Sequence, residues 1–254
     1  MVANDNGTGS TSLFHPSGSA GDDDLPPAAA APAVGSAAKP ASSVAFIIPA
    51  YDEAPNVARV VRAALSTGLG PVLVVDDGST DGTARAAAAA GARVLRLEGN
   101  VGKGGALAAG AAALEEDVVV LLDADLVGLI PDQIHDLTRP VLTGEADMTR
   151  GSFTGGRWRT TAAQKIAPQL SGQRAMLREK LLSVPGLSAS RYGVEVAITR
   201  EANERGWRQV EVDLPGVSQV MKEEKLGRRD GFVARLKMYR DVLATLLSGR
   251  RRNK

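Results

Sequence analysis

The chain has 254 residues, a net charge of +1 and 44% hydrophobic residues. This is enough for one large domain or two small ones with a full core, and the charge balance argues against a dedicated nucleic-acid binder. There is no cysteine and there are two histidines, His15 and His135; this excludes disulfides and thiolate metal sites, speaks against a histidine-rich metal centre, and fits a reducing, cytoplasmic setting.

The first 43 residues are rich in Gly, Ser, Ala, Pro and Asp. Such a segment cannot bury enough apolar surface to offset its ordering entropy, so a disordered tail is expected. No run of 18 apolar residues occurs, and the N-terminus lacks a basic stretch followed by an apolar one, so neither a membrane span nor a signal peptide is expected.

From Val44 onward strand and helix signals alternate. VAFIIPA (44–50) reads as a buried strand. Pro55 opens an amphipathic helix over 56–68 that stops at Gly68. PVLVVDDGS (71–79) is a second strand and turn, and an Ala-rich helix over 81–90 ends at Gly91. ARVLRLEG (92–99) is a third, more exposed strand. Residues 103–116 form a helix whose small residues suit close packing. VVVLLDAD (118–125) is a fourth strand, Pro131 opens a helix to about Leu142 that carries His135 in a structural role, and DMTRGSF (147–153) is a fifth strand. Strands alternating with helices of this length imply βαβ units, hence an α/β fold with an open, mostly parallel sheet flanked by helices. After Phe153 the rhythm is less regular. A helix is expected over 161–182, interrupted by Pro168 and Gly172, then a helix near 192–205, a strand over 207–214, a helix over 230–248 and the basic end 250–254.

The chemistry concentrates in loops that follow strands. VVVLLDAD ends in Asp123 and Asp125 around a small Ala124; alternation points both carboxylates to one side, and such a pair suits Mg²⁺ or Mn²⁺ bridged to phosphates. Alone, such a pair reads more readily as a strand with an Asp-rich turn. Two further loops, PAYDE (49–53) and DDGSTDGT (76–83), reach the same sheet edge in a parallel topology, where open α/β sheets bind ligands. They bring Asp52, Glu53, Asp76 and Asp77, whose repulsion cations or ligand donors must offset. GNVGKGG (99–105) enters a helix, and its glycines and Lys103 suit a pyrophosphate. The chain has neither a Walker A loop nor a G-x-G-x-x-G after the first strand.

VAFIIPAYDE, VLVVDDGSTDGT, NVGKGGAL and VVVLLDAD, in this order and spacing, resemble the family 2 glycosyltransferases of GT-A fold. The resemblance is strong over 44–153 and weaker through LSGQRA and RYGVEVAI. LVGLIPDQIHDLTRPVLTGEADMTRGSF, SGQRA and YGVE also resemble, more loosely, the retaining glucosyl-3-phosphoglycerate synthases, and there is a loose likeness to polyprenyl-phosphate sugar transferases. The resemblance implies one GT-A domain over 44–249, with a nucleotide-sugar half (44–153) and an acceptor half (154–249). It implies that Pro49, Ala50, Tyr51, Glu53, Asp76, Asp77 and Gly78 hold the nucleoside, with Asp77 reading the uracil. Gly102 and Lys103 would lie by the diphosphate or sugar, Asp123 and Ala124 by ribose and sugar, and Asp125 on the metal. Ser171, Gly172 and Arg174 would line the sugar and acceptor region, with Tyr192, Gly193 and Glu195 close by. The catalytic set would be Asp125, Lys103, Glu195 and Arg174.

Two features depart from that pattern. Gln219 stands where relatives often place a metal-binding histidine, so the expected ligands are Asp125, Asp123 and Gln219, the last a poorer one. Between 153 and 190 Glu179 is the only acid, so no general base is evident; a phosphate acceptor, already anionic, tolerates that, as does a retaining reaction. The expected activity is metal-dependent transfer of a hexose from a UDP- or GDP-linked donor to a small or lipid-borne phosphate. The cation and Lys103 would offset the leaving diphosphate's charge. The basic C-terminus is compatible with peripheral contact to anionic lipid, and a homodimer is compatible with the chain. A sugar-phosphate nucleotidyltransferase and a non-catalytic nucleotide-sugar-binding module remain open as alternatives.

Overall fold

A computed structural model describes residues 43–153, 171–190 and 193–220, all within one compact unit of the chain. The expected tail, residues 154–170 with the start of the expected 161–182 helix, Tyr192, the expected 230–248 helix and the basic end with its expected lipid contact lie outside the described residues.

A seven-stranded sheet carries the domain. In chain order its strands are β1 (Val44–Ala50), β2 (Val72–Asp76), β3 (Arg93–Arg96), β4 (Val118–Leu121), β6 (Met148–Ser152), β7 (Arg174–Leu177) and β8 (Gln209–Asp213), with the spatial order β3-β2-β1-β4-β7-β6-β8. All neighbours pair in parallel except at β7, which runs antiparallel to both β4 and β6. A two-residue strand β5 (Leu126–Val127) pairs with β9 (Ser218–Gln219) beside the sheet. The helices are α1 (Val57–Leu65), α2 (Thr83–Ala89), α3 (Lys103–Ala112), α4 (Pro131–Leu142), α5 (Arg178–Leu182) and α6 (Val194–Glu204). No helix among the described residues is long and apolar enough to cross a membrane.

The continuous apolar runs of β1, β2 and β4 follow from burial on both faces. Val44, Phe46 and Ile48 meet α1 and α4 residues such as Val57, Val61, Ile134 and Leu137 in one core. Ala45 and Ile47 meet Leu107, Val194 and Ile198 of α3 and α6 in the other. Pro49 sits inside β1 without disturbing the ladder. Residues 46 and 50 bond toward β2, through Phe46 N–H to Pro71 and Asp77 N–H to Ala50, whereas Ile47 bonds toward β4 by accepting from Leu122. Pro49 shares the side of Ile47, and pairing with β4 ends at Ile47, so the missing N–H costs no ladder bond.

The expected helix over 161–182 is corrected at its described end: residues 174–177 form β7, and only Arg178–Leu182 is helical. Local pattern loses to pairing here, because Ala175 and Met176, buried completely, fill the slot between β4 and β6. The reversal matters for the site. A strand that runs against its neighbours starts where they end, so the 171–174 segment arrives at the edge that carries the DAD loop.

At the opposite edge Asp147, just before β6, accepts the Arg208 N–H at 2.8 Å and the guanidinium at 3.1 and 3.3 Å, with Lys180 at 3.5 Å. Burial opposes its charge, but these donors outweigh burial and hold its carboxyl below the usual range. A depressed carboxyl stabilises the fold above its unfolded value, near 3.9, and that stability is lost as pH falls through the folded value. Urea midpoints measured from pH 7 down to 2.5 are therefore expected to show a flatter acid limb in Asp147→Asn than in the wild type. The packing of α3 yields a second expectation. A Cβ on Gly110 would stand 2.8 Å from Ile47 and 2.9 Å from Val75. Gly110→Leu should lose about 1–3 kcal/mol in the same assay despite its better helix propensity.

Candidate active site

Two loops are stapled together at the ends of β1 and β2. Asp52 adopts a left-handed conformation (φ 51°); its N–H donates to Ser79 Oγ at 2.9 Å, and its carboxylate accepts the Thr80 N–H at 2.9 Å. Glu53 N–H donates to Thr83 Oγ1 at 2.8 Å, and Glu53 Oε2 accepts from Asn56 at 2.9 Å. Asp76 is buried and accepts the Ser79 N–H at 2.9 Å, with Arg96 3.7 Å from its other oxygen. The turn passes through Gly78 at φ 76°, where a Cβ would lie 2.9 Å from Gly99, so only glycine lets this turn and the 99–105 loop approach. Tyr51 is exposed beside them.

Asp77 has a role the motif did not reveal. Its two oxygens accept the N–H groups of Val101 and Gly102, each at 2.8 Å. It therefore anchors the glycine-rich loop and aims the start of α3. Lys103 is the first residue of that helix, and Gly104 packs it against the chain before α6 through a 3.1 Å bond to the Ser190 carbonyl.

The result is an ammonium group between two carboxylates. Lys103 Nζ lies 2.5 Å from Asp123 Oδ1 and 2.5 Å from Glu195 Oε1. Asp123 Oδ2 accepts from Gln173 Nε2 at 2.8 Å and from Gln219 Nε2 at 2.5 Å. A carboxylate only accepts, so both amides must turn their nitrogens toward it; Gln173 Oε1 in turn accepts from Ser171 Oγ at 3.0 Å. Burial works against charge on both Lys103 and Asp123. The attraction outweighs it, raising the ammonium above its ordinary value through Asp123 and Glu195 and lowering the Asp123 carboxyl through Lys103, Gln173 and Gln219.

Several expected residues thus converge: Lys103, Asp123, Glu195, Gly172 and Gln219 share one cluster. Ala124 is buried beside it, and the Asp125 main-chain oxygen accepts from Val220 at 3.2 Å. Gln219, expected as a metal ligand, acts here as a hydrogen-bond donor to Asp123; a metal would need its oxygen. Arg174 departs from the expectation that it lines the pocket. It is 1% exposed and donates to the Ser171 carbonyl at 3.0 Å, the Glu195 carbonyl at 3.2 Å and Thr199 Oγ1 at 3.0 Å. It works from inside the wall, tying β7 to α6. Burial pushes its guanidinium down to about 10, against the pull of Glu195 and with a push from Arg150. Gln173, completely buried, was missed although it lies within SGQRA, because amide-to-carboxylate pairing leaves no periodic trace. Among the described residues no three His, Cys, Asp or Glu side chains cluster for a metal.

Gly172 closes the cluster from one side. A Cβ there would stand 2.5 and 2.6 Å from the Asp123 oxygens and 2.6 Å from Lys103 Nζ. Gly172→Ala should therefore lose about 1–3 kcal/mol of stability in urea unfolding, the reverse of the gain that Gly→Ala gives at an unstrained site.

With this geometry in place, comparison with known proteins is informative. Residues 45–205 match Glycosyl transferase family 2. The glucosyl-3-phosphoglycerate synthase of Mycolicibacterium paratuberculosis is 32% identical over 250 aligned residues, covering 84% of this chain and 74% of that protein. A glycosyltransferase of Haloferax volcanii is 33% identical over 65% of this chain and 59% of its own length. Among solved structures, the Mycobacterium tuberculosis glucosyl-3-phosphoglycerate synthase in complex with Mn²⁺, UDP and glucosyl-3-phosphoglycerate matches with a TM-score of 0.66 at 29% identity, covering 81% of this chain and 79% of that one. A complex of that enzyme with Mn²⁺, UDP-glucose and glycerol 3-phosphate matches with a TM-score of 0.65. The motif-bearing loops, the GT-A sheet and the family match agree: this chain belongs to glycosyltransferase family 2.

Proposed function

We propose that the protein transfers glucose from UDP-glucose to a small phosphate-bearing acceptor of the phosphoglycerate type. The observation that carries this reading is the Lys103 ammonium held 2.5 Å from Asp123 and 2.5 Å from Glu195 at the sheet edge. UDP-glucose is preferred to a GDP donor, and a small phosphate to a lipid-borne one, because the similar solved structures hold UDP-glucose, phosphoglyceric acid and glycerol 3-phosphate. Family membership leaves the nucleotidyltransferase alternative without support.

In this reading the stapled loops of Pro49, Ala50, Tyr51, Glu53, Asp76, Asp77 and Gly78 hold the nucleoside, and Asp77 also fixes the loop that delivers Lys103. Gly102 and Lys103 face the diphosphate. The ammonium, partly buried and fixed by two acids, offsets negative charge as it grows on the leaving group; such charge stabilisation is usually the largest single catalytic contribution. Glu195, on the other side of the ammonium, is assigned to hold the hexose, as the likeness of YGVE to the family implies. Arg174 and Gln173 position these carboxylates without touching substrate.

Asp125 and Asp123 would hold a divalent cation. Their hard oxygens fit Mg²⁺ or Mn²⁺, which take few protein carboxylates and complete their shell with substrate phosphates. Such an ion, when bound, supplies Lewis-acid neutralisation of the diphosphate. Gln219 could join only by turning its oxygen inward, at the cost of its bond to Asp123.

The test is a donor panel with Mn²⁺ and 3-phosphoglycerate, read by mass spectrometry of products. A hexosyl-phosphoglycerate from UDP-glucose is expected. Asp125→Ala should lower turnover on the order of 100-fold or more with its unfolding midpoint retained. Failure of the wild type to transfer or hydrolyse any nucleotide sugar with either metal would end this reading.

A further inference from the structure

Arg150 stands out because the functional reading leaves it unused. It lies on β6 in register with Arg174 of β7, and Arg174 is in register with Leu121 of β4. The three form one row across the sheet, two residues below Asp123. Met148, Met176 and Leu121 face the α3 and α6 side, and alternation by two puts Arg150 and Arg174 on that same face, where Asp123, in the loop after β4, meets Lys103 of α3.

The surroundings of Arg150 are electrostatically unbalanced. Arg174 spends its donors on Ser171, Glu195 and Thr199. The Nε of Arg150 is sealed from solvent with no hydrogen-bond partner, and among the described residues no acid pairs with its guanidinium. Instead its near charged neighbour is another guanidinium, and the repulsion between them is among the influences on Arg174. A sealed, unsatisfied N–H on a charged group is costly, and structure alone does not recover that cost here. The residue as a whole is partly exposed, so an arriving anion would offset the charge from the guanidinium's open side, where its planar fork matches carboxylate and phosphate oxygens in a bidentate way.

Strand order says which anion. The nucleoside loops hang from β1 and β2, and Lys103 and the DAD loop serve the diphosphate beside β4. Arg150 lies two strands beyond β4, with β7 between. It therefore faces the half of the site away from the nucleotide.

We propose that Arg150 is the residue that selects an anionic acceptor, receiving a phosphate or carboxylate oxyanion of that acceptor beside the hexose. This rests on the reading that the acceptor is anionic, and adds the residue that enforces it.

Calorimetry on the full chain with UDP and Mn²⁺ present tests it, using 3-phosphoglycerate, glycerol 3-phosphate, glycerate and neutral glycerol as probes. Arg150→Met should weaken binding of the anions roughly ten- to a hundred-fold, the range expected for a lost charge-assisted hydrogen bond. UDP binding should be unchanged and the unfolding temperature no lower, since a like-charge neighbour has been removed from Arg174. Arg150→Lys should recover part of the affinity, and in turnover the Met variant should raise KM for the acceptor but not for the donor. Loss for glycerol 3-phosphate alone assigns the contact to phosphate; loss for glycerate alone assigns it to carboxylate. Wild-type protein that binds none of the anions, or an Arg150→Met variant that binds them as tightly as wild type, overturns the proposal, as does a loss of anion binding matched by equal loss of UDP binding or a melted fold. Wild-type protein that binds phosphoglycerate but transfers no glucose would sink the functional reading while leaving Arg150 as an anion receptor.

Discussion

The Lys103 ammonium, wedged between Asp123 and Glu195, is the constraint on which the site depends. Two carboxylates brought together in a partly shielded crevice repel, and removing one partner of such a group leaves a partly buried charge uncompensated. The lysine reconciles a strand end with the first turn of a distant helix, residues 123 and 195. Everything adjoining it is shaped to keep it there. Asp77 pins the glycine-rich loop, the residue at 172 has no side chain, and Gln173 and Gln219 occupy the far oxygen of Asp123. The cation is thus both a structural keystone and the natural counter-charge for a diphosphate.

The sheet explains why these residues meet at all. Parallel order delivers the ends of β1, β2 and β4 to one edge, which accounts for the nucleotide loops. The single reversed strand, β7, delivers its start to the same edge, which accounts for Ser171, Gly172 and Gln173. A fully parallel sheet would have put that segment at the opposite edge, far from Asp123. Arg174, inside the wall, then transmits the position of β7 to α6 through the main chain of Glu195 and through Thr199.

The nucleotide half was legible from sequence for a physical reason: strands buried on both faces are written as unbroken apolar runs, and the loops after them carry acids and glycines that nothing in a plain core requires. β1 was expected at its observed bounds, and α4 began at Pro131 as expected. β7 was not legible, because a four-residue strand next to a short helix carries no period of its own and is decided by the slot between β4 and β6. β5 and β9, two residues each, are likewise set by their partner. In the site, the loop motifs announced Lys103 and Asp123 and the family resemblance implied Glu195, but not that the three form one bridge, which is a long-range fact. Arg174 was expected at the pocket from the family resemblance of SGQRA; the structure buries it as a brace.

The most direct measurement is a double-mutant cycle on Lys103→Met and Glu195→Gln, read as unfolding free energy in urea at neutral pH. If the lysine bridge organises this edge, Lys103→Met alone should be strongly destabilising, the double variant should recover part of the loss, and the coupling should exceed about 1 kcal/mol. Single effects that add to within about 0.5 kcal/mol, with no recovery in the double variant, would contradict a bridge at the centre of the site.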